Sequence, residues 1–127
     1  MRQNHEYQLA RAIAQYMQLQ YPKTKWRFDM AGLNLSKAQA GMNKAIQCGR
    51  GWPDFFLAEP RAGFHGMFLE IKKAGTELYK KDGTFKNEHI FEQFWTLKNL
   101  SGKGYVAEFS IGFDEFKAKV DSYMNLK

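Results

Sequence analysis

The chain has little that would cross-link it or carry it through a membrane. Cys48 is the only cysteine among 127 residues, which excludes an intrachain disulfide and is typical of a reducing, intracellular compartment. No apolar run approaches membrane-spanning length, and the polar amino-terminal segment has no apolar signal region. The three histidines are scattered without metal-ligand spacing. We therefore expect a cytoplasmic protein with no membrane partner and with Cys48 as a packed or idle thiol.

What the chain does have is a basic balance and many aromatic residues. The formal net charge is +6 and aromatic residues make up 16% of the sequence. A length of 127 residues favours a single domain, 1–127, with a core of its own. The positive charge favours a polyanionic partner such as nucleic acid, although many basic proteins bind none.

Apolar periodicity predicts an α/β fold with a mixed sheet flanked by helices. The predicted order is α-β-α-β-β-α-β-α, with helices over 4–19, 34–49, 87–101 and 113–124, and strands over 24–30, 54–58, 67–72 and 105–111. A capping box of Ser36 and Gln39 supports the start of the second helix. Met42, Phe91 and Trp95 are predicted to be core residues.

The central hairpin carries the charged residues of greatest interest. A turn centred near Ala62 places Asp54 opposite Glu70, with Cβ atoms about 5 Å apart on one face of the sheet. Lys72 lies two residues beyond Glu70 and shares that face, since side chains alternate along a strand. A register slip of one residue would turn the two acids apart.

Two carboxylates this close repel each other unless a cation lies between them. Oxygen ligands without a cluster of cysteine or histidine favour Mg²⁺ or Mn²⁺ over zinc. Such an ion polarises a phosphate and lowers the pKa of a bound water, and a lysine can orient that water. The pattern of Asp54, Glu70 and Lys72 therefore predicts phosphodiester hydrolysis, whereas a solvated strand face is the alternative for Glu70 and Lys72 alone.

These residues fit the pattern D…(D/E)xK of the restriction-endonuclease-like nucleases, also written PD-(D/E)xK. The segment Gly51-Trp52-Pro53-Asp54, the strand Phe68-Leu69-Glu70-Ile71-Lys72, the later Gln93 and the early Glu6 together resemble the VRR-NUC family of virus-type replication and repair nucleases. The resemblance covers nearly the whole chain and implies a restriction-endonuclease-like mixed sheet. Family members that stand alone, often phage or bacterial proteins, are similar to dimeric, structure-selective DNA nucleases, which implies a homodimer acting on junction or branched DNA.

The resemblance also implies roles for individual residues. Asp54, Glu70 and the backbone carbonyl of Ile71 would bind the metal, and Lys72 would position the water. Gln93 would complete the catalytic site, and Glu6 would reach the metal either directly or through a water molecule. Two of these assignments have plain alternatives: Glu6 as an acid at a helix N-terminus, and Gln93 as a helix-surface residue.

Basic side chains on both sides of the motif are candidates for DNA binding, because lysine and arginine neutralise phosphates. They are Lys44, Arg50, Lys73, Lys80, Lys81 and Lys86. A solvated basic loop is the alternative for them. No recognition helix or zinc finger is evident, so backbone or shape selectivity is expected over base reading. A non-catalytic nucleic-acid-binding or accessory subunit that keeps the nuclease fold, and a ribonuclease, are the rival functions.

Overall fold

A computed structural model describes residues 5–29 and 36–127 of the chain. The described residues form, in order, α1 (His5–Gln20), β1 (Trp26–Phe28), α2 (Lys37–Ala45), β2 (Phe55–Leu57), β3 (Met67–Lys72), α3 (Glu88–Gly102), β4 (Val106–Ile111) and α4 (Gly112–Met124). The predicted order is therefore confirmed. Three ends of predicted elements lie outside the described residues. They are residue 4 of the first helix, Met30 of the first strand, and residues 34–35 of the second helix.

The strands form one mixed sheet in the order β1-β2-β3-β4. The β1–β2 and β2–β3 pairs are antiparallel, and β3 and β4 are parallel neighbours joined through α3. Phe55 lies opposite Leu69 in the hairpin, so continuation of this register brings Asp54 level with Glu70. The register predicted from the sequence is confirmed, and it places both acids on one face.

The main core lies between one face of the sheet and the helices α1 and α4. Ile13 of α1, Phe55 and Leu69 of the sheet, and Phe116 of α4 are all fully buried in it. The hydroxyl of Tyr16 also donates to the Asp121 carboxylate at 2.6 Å, which ties α1 to α4. Residues that point to this face alternate along β3 with residues that point away from it.

Helix α3 covers the opposite face of the sheet and packs on β3 and β4. Asn87 caps this helix by accepting a hydrogen bond from the amide of Ile90 at 2.9 Å. Because helices cover both faces, β3 is buried at four successive residues, from Met67 to Glu70. A strand of this kind has an apolar environment on both sides, so a charged residue within it loses most of its water.

The second helix is shorter than its predicted range of 34–49. Helix α2 ends at Ala45, and the predicted capping box of Ser36 and Gln39 is present. None of its residues is buried. Its thin apolar face does not supply enough contacts to extend the helix to Gly49, so a turn follows instead.

The prediction that Met42, Phe91 and Trp95 are core residues is wrong. Their exposed fractions are 71%, 46% and 52%. In α3 the buried stripe is formed by Ile90, Gln93, Leu97 and Leu100, which follows the 3.6-residue helical period and leaves the two aromatic residues outside it. The polar Gln93 is thus part of the buried stripe, together with Leu97 and Leu100.

Candidate functional site

Glu70 is a carboxylate buried in the middle of the sheet. Its side chain is 3% exposed. The side-chain amide of Gln93, also buried, donates to its Oε1 at 2.7 Å. The Lys72 ammonium lies 3.8 Å from the same oxygen. Gln93 and Lys72 therefore both lie next to Glu70, as the sequence predicted. Lys72 lies beside Glu70 because alternate residues of a strand share a face. Gln93 reaches Glu70 from the buried stripe of α3.

Asp54 is held by the strands on both sides of it. Its Oδ2 accepts a hydrogen bond from the backbone amide of Ile71 at 3.1 Å. Its backbone carbonyl accepts from the amide of Asp29 at 2.6 Å. The carboxylate is thereby fixed beside the β3 segment that carries Glu70 and Lys72, although Asp54 itself lies just before β2.

The electrostatics of the pair favour a cation. Burial raises the pKa of Glu70 to about 9, the Asp54 charge raises it in the same direction, and Lys72 opposes both. Burial also raises the pKa of Asp54, while the Glu70 side chain, the Ile71 amide and Lys72 oppose this and the Asp29 charge adds to it. The site therefore has more negative charge than Lys72 neutralises, so a proton or a metal ion is needed to balance it.

The donor atoms of the site suit a hard divalent cation. Glu70 Oε2 and Gln93 Oε1 are buried and find no hydrogen-bond partner among the residues that the structure describes. Buried oxygens without partners are costly, and a metal ion would satisfy them. Within residues 5–29 and 36–127, no three or more His, Cys, Asp or Glu side chains are grouped as metal ligands. Asp54 and Glu70 supply two carboxylates, which suit an ion that binds few protein ligands and keeps several waters, as Mg²⁺ does.

A cavity of about 1090 Å³ opens over these residues. The predicted site residues that line it are Glu6, Asp54, Glu70, Ile71, Lys72 and Gln93. Glu6 is exposed and reaches the cavity wall from the first turn of α1. All the residues assigned to catalysis or metal binding thus line a common space, and their roles stay predictions.

The predicted DNA-binding residues divide into two groups. Lys44, Arg50 and Lys73 line the cavity. Lys80, Lys81 and Lys86 are not among the residues that line it, and Lys86 is paired with Glu77 at 3.1 Å. The first group can contact a phosphate chain that enters the site, whereas the second lies on the loop before α3.

Gly51 lets the segment before Asp54 lie directly against α3. Its φ is +79°, and a Cβ at this position would stand 3.0 Å from the backbone oxygen of Glu92 and 3.2 Å from the amide of Gln93. Glycine adopts this conformation without strain and leaves room for the contact. The Gly-Trp-Pro-Asp segment therefore sets the distance between Asp54 and the helix that carries Gln93.

The structure adds two residues that sequence reasoning missed or gave little weight. Asp29 lines the cavity and its charge acts on Asp54. Antiparallel pairing of Phe28 with Phe55 brings Asp29 level with Asp54. The Nε2 atom of His89 lies 3.1 Å from Gln93 Nε2. The sequence indicates this contact, because His89 and Gln93 are four residues apart and such residues are neighbours on a helix.

Comparison with solved structures gives a match over nearly the whole chain. One matching structure is described as a VRR_NUC domain protein, with a TM-score of 0.68 and 19% sequence identity, and the alignment covers 99% of this chain and 93% of that one. No protein-family model matches the sequence, and a search of curated proteins finds no relative. The chain thus has the fold of a VRR_NUC domain protein, a restriction-endonuclease-like mixed sheet flanked by helices, as the sequence resemblance implied.

Within the described ranges, no helix is both long and apolar enough to cross a membrane.

Proposed function

We propose that the chain is a divalent-metal-dependent DNA endonuclease of the PD-(D/E)xK type and a member of the VRR-NUC family. The observation that carries the proposal is the convergence of Asp54, Glu70, Lys72 and Gln93 on one cavity. Oxygen donors favour Mg²⁺ or Mn²⁺ as the cofactor. The likeness to a VRR_NUC domain protein supports the proposal through the fold, and the residues themselves supply the chemistry.

Asp54 and Glu70 would hold the ion from two neighbouring strands, with the Ile71 carbonyl as a third protein ligand and Glu6 acting through water. When bound, the ion polarises the scissile phosphate and lowers the pKa of a coordinated water. Lys72, 3.8 Å from Glu70 Oε1, would orient the attacking water and neutralise charge that develops on the phosphate. Gln93 fixes Glu70 through its amide N–H and offers Oε1 to the ion or to a water.

DNA would enter with its backbone along the basic wall of the cavity. Lys44, Arg50 and Lys73, which line the cavity, would neutralise phosphates on both sides of the scissile bond. Contacts of this kind carry no base sequence, so selectivity would come from the shape of branched or junction DNA. One site cuts one strand, and symmetric cutting of a junction would need a homodimer with two sites. Residues 1–127 would form a single nuclease domain.

The proposal is tested with labelled flaps, four-way junctions, single strands and plain duplex, incubated with Mg²⁺, Mn²⁺ or EDTA. Asp54→Asn and Lys72→Ala are expected to abolish cleavage in either metal while circular dichroism shows the fold retained. Lys117→Ala is the matched control, because Lys117 is a half-exposed lysine paired only weakly with Asp114 at 4.0 Å. Cleavage undiminished in both site variants would exclude this site.

The same assay separates the rival functions. A non-catalytic accessory subunit would bind DNA equally well in EDTA and produce no nicks with any divalent metal. A ribonuclease would cleave matched RNA in preference to DNA. Either result would contradict the proposed activity, whereas metal-dependent cleavage of branched DNA over plain duplex supports it.

A further inference from the structure

A second, smaller cavity adjoins the site cavity and has no role in the proposed hydrolysis. Its volume is about 360 Å³, within the range of small-ligand sites. It shares Gly49, Arg50 and Trp52 with the site cavity, and α3 contributes Trp95, Thr96, Asn99 and Leu100 to it. We call it the two-tryptophan pocket, after Trp52 and Trp95. A polymer bound in the site cavity would therefore pass this pocket at residues 49–52.

Two large aromatic side chains in the pocket are unusually exposed. Trp52 is 37% exposed and Trp95 52% exposed. Each is held by contacts with the protein: Trp52 donates its Nε1–H to Cys48 Sγ at 2.9 Å, and Trp95 packs edge-to-face on Phe94 at 5.3 Å between ring centroids. The indoles are thus oriented in advance, and a flat ligand could cover their exposed surface at little cost in side-chain ordering.

The polar groups of the pocket also indicate the chemistry of its ligand. Arg50 stands at the boundary with the site cavity, and its backbone carbonyl accepts a hydrogen bond from Thr96 Oγ1 of α3 at 3.3 Å. Asn99 adds an amide that can both donate and accept hydrogen bonds. Among the described residues, no acidic side chain lines this pocket. Aromatic surfaces next to a cation and an amide suit a nucleobase attached to a phosphate backbone.

We propose that the two-tryptophan pocket binds one unpaired nucleobase of the DNA strand that occupies the site cavity, with Arg50 next to the intervening phosphate. The identity of the polymer rests on the proposed function, whereas the base-binding pocket is an addition to it. A base within a duplex must be unstacked before it can enter, and an unpaired base enters at least cost. The pocket therefore explains physically why a nuclease without base-reading elements would select flapped, bulged or branched DNA.

The test measures binding, not cleavage. Two duplexes are compared in EDTA and in Ca²⁺: one carries a single unpaired 2-aminopurine, and the other is fully paired. The measured quantity is the affinity for the duplex with the unpaired base divided by the affinity for the paired duplex. Trp95→Ala is expected to lower this ratio about tenfold, as loss of one base–aromatic stack does. Tyr79→Ala is the control, because Tyr79 is an exposed aromatic residue that lines neither cavity, and its affinity ratio should equal that of the wild type.

A chemical test avoids any question about the folding of variants. Cys48 lines the pocket and is exposed, and it is the only cysteine in the chain. Alkylation of Cys48 with N-ethylmaleimide should lower the affinity for the bulged duplex, and Cys48→Ser protein should be indifferent to the reagent. Quenching of 2-aminopurine emission on binding should be lost in the same samples.

Equal affinity ratios for wild-type and Trp95→Ala protein in both buffers, or no effect of alkylation, would overturn the proposal. A preference that instead depends on protein concentration, with dimers lost in Trp95→Ala, would assign the surface to a second copy of the chain and equally contradict it. These outcomes are independent of the nuclease activity. A wild-type protein that cleaves DNA with metal but has no preference for the unpaired base would refute only the pocket, and a base preference without cleavage would refute only the nuclease.

Discussion

Gln93 and Glu70 form a buried hydrogen bond at 2.7 Å that joins α3 to the central strand β3. Within 5–29 and 36–127, each residue keeps one oxygen without a hydrogen-bond partner, Oε1 of Gln93 and Oε2 of Glu70. A purely structural pair in a core would satisfy all its polar atoms. Because Glu70 and Gln93 also both line the cavity, this contact is the centre of the candidate site.

Gln93→Ala removes the amide that fixes Glu70 and the free oxygen beside it. We expect metal affinity and cleavage to fall about 10- to 100-fold, the usual cost of losing a group that orients a metal ligand. Isothermal titration with Mn²⁺ and single-turnover cleavage would measure the two effects. Lys98→Ala, at an exposed position of the same helix, is the control. Unchanged metal affinity in Gln93→Ala would contradict the role assigned to the amide.

Metal binding should compete with a proton on Glu70. The raised pKa of Glu70, about 9, means that the metal-free site is protonated at neutral pH and that binding releases the proton. The apparent affinity for Mn²⁺ should rise between pH 6 and pH 8, by up to about tenfold per pH unit. Titration calorimetry in two buffers of different ionisation enthalpy counts the released protons. An affinity independent of pH over this range would refute the expectation.

Glu70→Gln should make the metal-free protein more stable while abolishing cleavage. The folded-state pKa lies above the unfolded value, so between about pH 4.5 and 9 the folded state binds the extra proton and its stability falls as pH rises. A neutral amide removes this dependence. The melting temperature in EDTA at pH 8 should rise by several degrees, and by less at pH 5.

The matched control for that variant is Glu77→Gln. Glu77 is exposed and paired with Lys86 on the surface, where an ion pair contributes little to stability. Its melting temperature should stay close to that of the wild type at both pH values. A Glu70→Gln variant that melts below the wild type in EDTA would show that the carboxylate is not destabilising where it lies.

Gly51→Ala should disturb the site from a distance. The left-handed backbone at Gly51 costs a residue with a Cβ about 1 kcal/mol or more, and the added methyl group would meet the Glu92 carbonyl at 3.0 Å. We expect a lower melting temperature and weaker metal binding, because α3 must shift and Gln93 moves with it. Gly49→Ala is the control, since nothing lies within 4 Å of a Cβ at Gly49. Equal behaviour of the two variants would contradict the close approach.

The two groups of basic residues should differ in DNA binding. Lys73→Ala, at the cavity wall, should weaken binding to all DNA structures and reduce the slope of log affinity against log salt by about 1. Lys81→Ala, outside the cavity, should change the slope less. Fluorescence anisotropy at several salt concentrations in EDTA would measure both. Equal slopes for the two variants would place the DNA path elsewhere on the surface.

Much of the fold followed from local sequence patterns. The strand Met67–Lys72 has its predicted bounds, and the hairpin register that places Asp54 level with Glu70 follows from the strand period of two and the position of the turn. The caps at Ser36 and Asn87 were also readable, because a cap involves only neighbouring residues. Helix boundaries were less certain, as the shorter α2 shows.

The sequence by itself determined the chemical groups and their spacing along the strands: two carboxylates, a lysine, and a glycine and a proline before Asp54. Only the tertiary structure decided that Gln93 is buried and Phe91 and Trp95 are exposed, and that Asp29 joins the cavity. Periodicity reports which residues share a face, but not which face another element covers. Which face is covered depends on packing between segments distant in the chain. Here that packing buries the charged residues of β3, and their loss of water is what makes the site favour a cation.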